Sequence, residues 1–182
     1  MRSVFSRFLC LLFLGAPLVA HADTTYDFTA IGADFTSSGS FTVGIESPYT
    51  SGAYEITSIT GTLNGVAISL MPGSYDASNP TYNTGDPTDF NFYFDNLFYP
   101  SAPNLDGNGI GIDVGTSGYE VNFYYGTFAD ATVPSYIFFS NADNFTEPMT
   151  FTVTPAVPEP SSLLLLGTGV LGAAGALRRR LV

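Results

Sequence analysis

Tyr54-Glu55-Ile56-Thr57-Ser58-Ile59-Thr60-Gly61-Thr62-Leu63-Asn64-Gly65-Val66-Ala67-Ile68-Ser69-Leu70 reads as two strands joined by a turn. Tyr54 to Leu63 is rich in Thr, Ile and Tyr, the types that suit a pleated, half-buried surface. Asn64-Gly65 is a two-residue turn of the kind whose backbone needs φ > 0, and Val66 to Leu70 returns. A hairpin of this kind buries one face and needs further strands to cover it.

Working outward, the same vocabulary recurs in both directions. Tyr26 to Thr29 and Phe41 to Ile45 alternate apolar and polar. Phe90 to Phe94, Ile110 to Val114, Tyr119 to Tyr125, Tyr136 to Phe139 and Met149 to Val153 follow on the C-terminal side. Phe151 and Val153 share one face, and Thr150, Thr152 and Thr154 share the other. Clusters of Gly, Pro, Asn and Asp separate the runs, and no window between Asp23 and Ala156 holds a sustained helical period. The expectation is an all-β fold: a single antiparallel β-sandwich, jelly-roll-like, spanning residues 23–156. The longest irregular stretch, Pro72 to Asp89, is expected to be an exposed loop carrying Tyr75 and Tyr82.

The charge distribution limits what such a domain can do. The five basic residues of the chain are Arg2, Arg7, Arg178, Arg179 and Arg180, so none lies between Asp23 and Ala156. All 16 acidic residues fall between Asp23 and Glu159. Like-charge repulsion excludes nucleic acid and anionic surfaces as partners and leaves cations or neutral polymers such as sugars. Cys10 and His21, the single cysteine and histidine, lie outside the domain. No disulfide, thiol nucleophile, Ser-His-Asp triad or His general base can therefore operate in it. Without Lys or Arg there is also no phosphate clamp and no Schiff base.

Both flanks read as targeting segments. Residues 1–22 open with Arg2 and Arg7, continue through the apolar run Phe8 to Leu14, and end in Ala20-His21-Ala22, a small-x-small signal-peptide cleavage pattern. Residues 157–182 read Val157-Pro158-Glu159-Pro160, then Ser161-Ser162, then the uncharged run to Leu177, then Arg178-Arg179-Arg180. Ser161 to Leu177 as a transmembrane helix spans roughly 25 Å at about 1.5 Å per residue, the short end of what crosses a bilayer. The arginines mark its cytoplasmic end. Thr168, Gly172 and Ala176, spaced four apart, form a small-residue face on which another helix can approach closely.

Pro158-Glu159-Pro160, the apolar run and the terminal Arg178-Arg179-Arg180, in that order, resemble the PEP-CTERM sorting signal of Gram-negative bacteria. The resemblance implies recognition by an exosortase, a membrane-embedded protease-transpeptidase. It further implies removal of the tail after a transient stay in the inner membrane, and a cell that makes exopolysaccharide. The stretch from Tyr54 to Tyr125 is similar to an ectodomain recurrent among PEP-CTERM proteins, a likeness that bears on architecture and not on chemistry.

Three functional classes follow. The first is a structural or binding protein of the cell surface or the exopolysaccharide matrix, with no enzymatic activity and no required cofactor. The second is a calcium-dependent carbohydrate-binding module. Its candidate ligands are Asp95, Asn96, Asp106, Asn108 and Asp113, since calcium prefers carboxylate and amide oxygens from loops. The same residues equally read as turn formers. Tyr93, Tyr99, Tyr124 and Tyr125 are candidates for a sugar-stacking face, or for packing at the core and its rim. The third is a carboxylate glycoside hydrolase, which needs one of two neighbouring carboxyls raised in pKa.

Overall fold

The structure, a computed structural model, describes residues 23–82, 91–116, 118–128, 132–156 and 168–170. It contains strands β1 (Thr24–Ile31), β2 (Thr36–Glu46), β3 (Tyr54–Leu63), β4 (Val66–Leu70), β5 (Thr81–Tyr82), β6 (Tyr93–Phe94), β7 (Leu97–Phe98), β8 (Ile110–Val114), β9 (Tyr119–Gly126), β10 (Ser135–Ser140) and β11 (Phe145–Pro155). The all-β expectation holds, and every strand pairing is antiparallel.

The sandwich expectation is corrected: the sheet closes on itself. Round the wall the order is β1, β2, β3, β4, β8, β9, β10, β11 and back to β1, an up-and-down barrel of eight strands and not a jelly roll. The first strand meets the last, with Phe28 beside Val153, and β2 meets β3, with Phe41 beside Ile59. The misreading has a physical cause. Alternation says that each strand buries one face, which is equally true of two stacked sheets and of one closed sheet. Closure depends on pairings between distant strands, which leave no local trace.

Two local features help the wall curve. Thr42 faces Ser58 while Val43 faces Ile56, so Thr57 is an extra residue and the strand bulges. The bulge explains why Ile56 and Ile59, three apart, both point inward. Opposite each other on β2 and β3 lie Gly39 and Gly61. A Cβ on Gly61 would overlap the Ser38 carbonyl oxygen and sit 2.7 Å from the Gly39 Cα, and Gly61 has φ +148°. The backbones touch here because neither residue carries a side chain.

An eight-stranded barrel is just wide enough to be filled by side chains. Phe28, Phe41, Ile59, Leu63, Ile112, Val121, Phe123, Phe138 and Phe151 fill this one. Each end has an aromatic plug. Phe35, from the turn between β1 and β2, stacks on Phe138 at 4.1 Å; Glu147 holds that turn by accepting from the Ala33 amide at 2.9 Å. Phe98 of β7 lies 4.6 Å from Tyr26 and 5.0 Å from Phe41 at the other end.

The two ends differ. At one, the connections 32–35, 64–65, 115–118 and 141–144 are tight. The predicted Asn64-Gly65 turn is among them, with φ of 50° and 81°. At the other lie the longer connections 47–53, 71–109 and 127–134. Both termini of the domain are there as well: Tyr26 pairs with Pro155, and the Ala156 amide donates to the Thr25 carbonyl at 2.9 Å. We call this the tail end.

The 71–109 connection does more than loop. Met71, Phe92 and Phe94 pack with Phe139 in a second cluster on the outside of the barrel wall. The Phe94 ring lies against Gly73 and Gly111, each of which would clash with it if it bore a Cβ. Strand β8 is therefore buried on both faces. Of the predicted strand Phe90 to Phe94 only Tyr93–Phe94 is formed among the described residues, and the predicted loop Pro72 to Asp89 holds the short β5.

Residues 1–22 lie outside the described residues, and with them Ala20 and Ala22. Pro158, Glu159, Pro160, Arg178, Arg179 and Arg180 also lie outside them. The helical residues 168–170 are the described part of the expected transmembrane helix, and among the described residues no helix is long and apolar enough to cross a membrane.

Candidate functional site

Tyr54, Tyr99 and Tyr125 meet at the tail-end mouth of the barrel. Tyr54 is the first residue of β3 and Tyr125 lies near the end of β9. Tyr125 is on the inward face with Phe123, where it meets Tyr136 edge-on at 5.2 Å. Tyr99 follows β7 and starts a turn that Asn104 closes twice. The Tyr99 amide donates to the Asn104 carbonyl at 3.0 Å, and the Asn104 side-chain amide donates to the Tyr99 carbonyl at 2.8 Å. Tyr136 fixes that turn to the barrel, since its hydroxyl accepts from the Asn104 amide at 2.8 Å. The three tyrosines, with Pro100, Pro103, Leu105, Asp106 and Gly107, enclose an open cleft of about 710 Å³.

Behind the cleft is a polar knot that anchors its rim. Asp106 caps its own turn: one carboxylate oxygen accepts from the amides of Asn108 at 2.9 Å and Gly109 at 3.0 Å. The other accepts from the Tyr99 hydroxyl at 3.3 Å. The Tyr125 amide donates to the Asp106 carbonyl at 2.7 Å, which ties the turn to β9. Asp95 is fully buried beside it. It accepts from the Leu97 amide at 3.2 Å and from the Asn108 side-chain amide at 3.0 Å. Burial first, and then the negative charge of Asp106, push the Asp95 carboxyl up to about 7; the bonds from Asn108 and Leu97 pull the other way. Tyr99 is pushed up to about 12, first by burial and then by Asp106 and Asp95.

Four of the five residues singled out for calcium thus come together, and Asp113 does not. Asp113 lies toward the tight end of β8, facing Ser69 and Glu120 in neighbouring strands. Asn96, also fully buried, has both ends of its amide committed: it donates to the Met71 carbonyl at 2.9 Å and accepts from the Gly111 amide at 3.0 Å. Asn96 at φ 55° and Asp106 behave here as turn formers, the alternative the sequence had left open. Among the described residues no three His, Cys, Asp or Glu side chains gather as a metal site.

The expected tyrosine face is divided in two. Tyr99 and Tyr125 line the mouth, while Tyr93 and Tyr124 line a smaller cleft of about 260 Å³ on the outer wall, with Asn108, Asn122 and Phe139. Neighbours on one strand point to opposite faces, so Tyr124 and Tyr125 cannot serve one surface. Tyr54 was missed as a site residue. Its signal was available: it shares a face with Ile56 at the start of a strand and follows Gly52-Ala53, so it had to stand at a rim.

Residues 156–180 match the family model described as the PEP-CTERM protein-sorting motif. No curated protein and no solved structure matches the chain. The motif marks the chain for export and for sorting by exosortase, a membrane enzyme, to the cell surface or extracellular space.

Proposed function

We propose that this chain is a non-enzymatic binding protein of the bacterial surface or its exopolysaccharide matrix, delivered by its tail as a folded barrel that holds neutral glycan in the tail-end cleft. Residues 1–22 serve as the export signal and residues 157–182 as the sorting signal. The single observation that carries the binding reading is the mouth itself: an open cleft with three tyrosines on its rim, in a domain without one basic side chain. Tyrosine rings offer flat apolar faces with a polar tip, a combination that suits a sugar ring bearing hydroxyls.

The glycosidase alternative fares worse for a geometric reason. Among the described carboxyls Asp95 and Asp113 are raised by burial: Asp95 is fully buried with bonds to Leu97 and Asn108, so it cannot reach a glycosidic oxygen, and Asp113 lies toward the tight end of β8, away from the cleft. No cofactor forms part of this proposal.

The test is calorimetric titration of the released barrel with the producer's own exopolysaccharide. Tyr99→Ala is expected to weaken binding about tenfold, the loss of one ring contact of roughly 1.4 kcal/mol. Tyr93→Ala, on the outer wall, is expected to leave it unchanged. Absence of binding by the parent protein, or equal effects of the two substitutions, would count against the cleft.

A further inference from the structure

The hydrogen bond that ties Ala156 to the barrel and the sorting motif are almost contiguous in sequence. Ala156 is still tied to Thr25, and Pro158 is two positions on. Only residues 157–160 separate the barrel from the apolar run that begins at Ser161, and four extended residues span at most about 14 Å. A membrane-bound peptidase that cuts within 157–160 must therefore bring the rim of its active site against the tail end of the barrel. There is no length of chain to hold the two apart.

That end also carries the most exposed apolar side chains of the described barrel. Among the described barrel residues the three most exposed large apolar side chains are Val133 at 71%, Tyr49 at 69% and Ile45 at 61%. Val133 lies in the connection before β10, Tyr49 in the connection before β3, and Ile45 at the end of β2. All three belong to the tail end. Asp23 and Glu46 stand beside Ile45 round an adjoining cleft of about 360 Å³, so this tip has an acidic surround.

We infer that Ile45, Tyr49 and Val133 form a docking surface for the membrane peptidase that removes the tail, so that recognition extends from the sorting motif onto the folded barrel. The inference rests on tail removal, which the sorting motif implies. Charge favours a protein over lipid as the occupant: Asp23 and Glu46 beside Ile45, in a domain without one basic side chain, are repelled by anionic headgroups and match a basic collar on a protein. The short connection fixes which protein is brought there.

The experiment follows tail removal from the full chain in the producing cell, by the ratio of full-length to released protein over time. Ile45→Ser, Tyr49→Ser and Val133→Ser together are expected to slow removal about tenfold, the effect of losing a cluster of interface anchors. Ile31→Ser, Val66→Ser and Phe145→Ser, an equal number of exposed apolar positions at the tight end, are expected to leave the rate within about twofold. Tyr49→Ser alone, in an exposed connection, is expected to slow removal about threefold and keeps the test open if the triple variant fails to fold. Equal rates for parent, tail-end and tight-end variants would overturn the docking surface. So would loss of binding by the tail-end variant to neutral phosphatidylcholine vesicles with removal unaltered, which would assign the tips to lipid. If the parent chain keeps its tail, the failure lies with the sorting reading and not with the docking surface.

Discussion

Gly61→Ala destabilises the barrel by on the order of 4 kcal/mol in chemical denaturation, most of the stability of a marginal domain. Two costs add. The backbone at φ +148° is one that side-chain-bearing residues rarely adopt, which costs about 1–3 kcal/mol. The new methyl also overlaps the Ser38 carbonyl and crowds Gly39, and relieving this means parting β2 from β3 at a point where the barrel closes. Gly65→Ala is the control. Its φ is +81° but nothing lies within 4 Å of the added carbon, so only the conformational cost of about 1–2 kcal/mol applies. Equal losses for the two substitutions would mean that β2 and β3 are not pressed together, and closure of the barrel as described would be wrong.

The second large effect is electrostatic. Asp95 has an ordinary carboxyl value of 3.8 when the chain is unfolded and about 7 in the buried knot. Between those values the folded state binds the proton and the unfolded state does not. Stability therefore falls as pH rises from about 4 to about 7, by on the order of 4 kcal/mol across the window, and is level above it. This is the opposite sign to a salt-bridged carboxylate. Asp95→Asn keeps an acceptor for the Leu97 amide and removes the charge facing Asp106. The variant is expected to melt higher than the parent at pH 8 and to show a flatter profile below pH 7. A parent melting temperature that rises steadily from pH 4 to pH 8 would contradict the assignment. Calcium bears on the same pair: a calcium-induced rise in melting temperature at pH 8 in the parent, absent in Asp95→Asn, would revive the cation-dependent reading.

These two sites show what a sequence conveys and what it withholds. The hairpin at Asn64-Gly65 was legible because turn chemistry is local: two residues set two dihedral angles. The threonine face of Met149 to Val153 was legible because alternation is local too. Gly39 and Gly61 lie 22 positions apart, and nothing near either one announces the other. Barrel and sandwich differ only in such distant pairings. The knot was half legible, since Asp95, Asn96, Asp106 and Asn108 stood out as a polar group. Their burial was not: it depends on the 71–109 connection folding back so that Phe94 fills the slot between Gly73 and Gly111. That burial turns oxygens that looked free for a cation into partners of backbone amides.

The tail is the address and the barrel is what it delivers. The most direct measurement is the intact mass of the protein recovered from the cell surface and the medium. The expected species begins at Asp23 and ends within residues 157–160, while Glu159→Ala or deletion of Arg178 to Arg180 leaves full-length chain in the inner membrane. Released protein that still carries Leu163 to Leu177 would contradict it and leave the tail a permanent anchor.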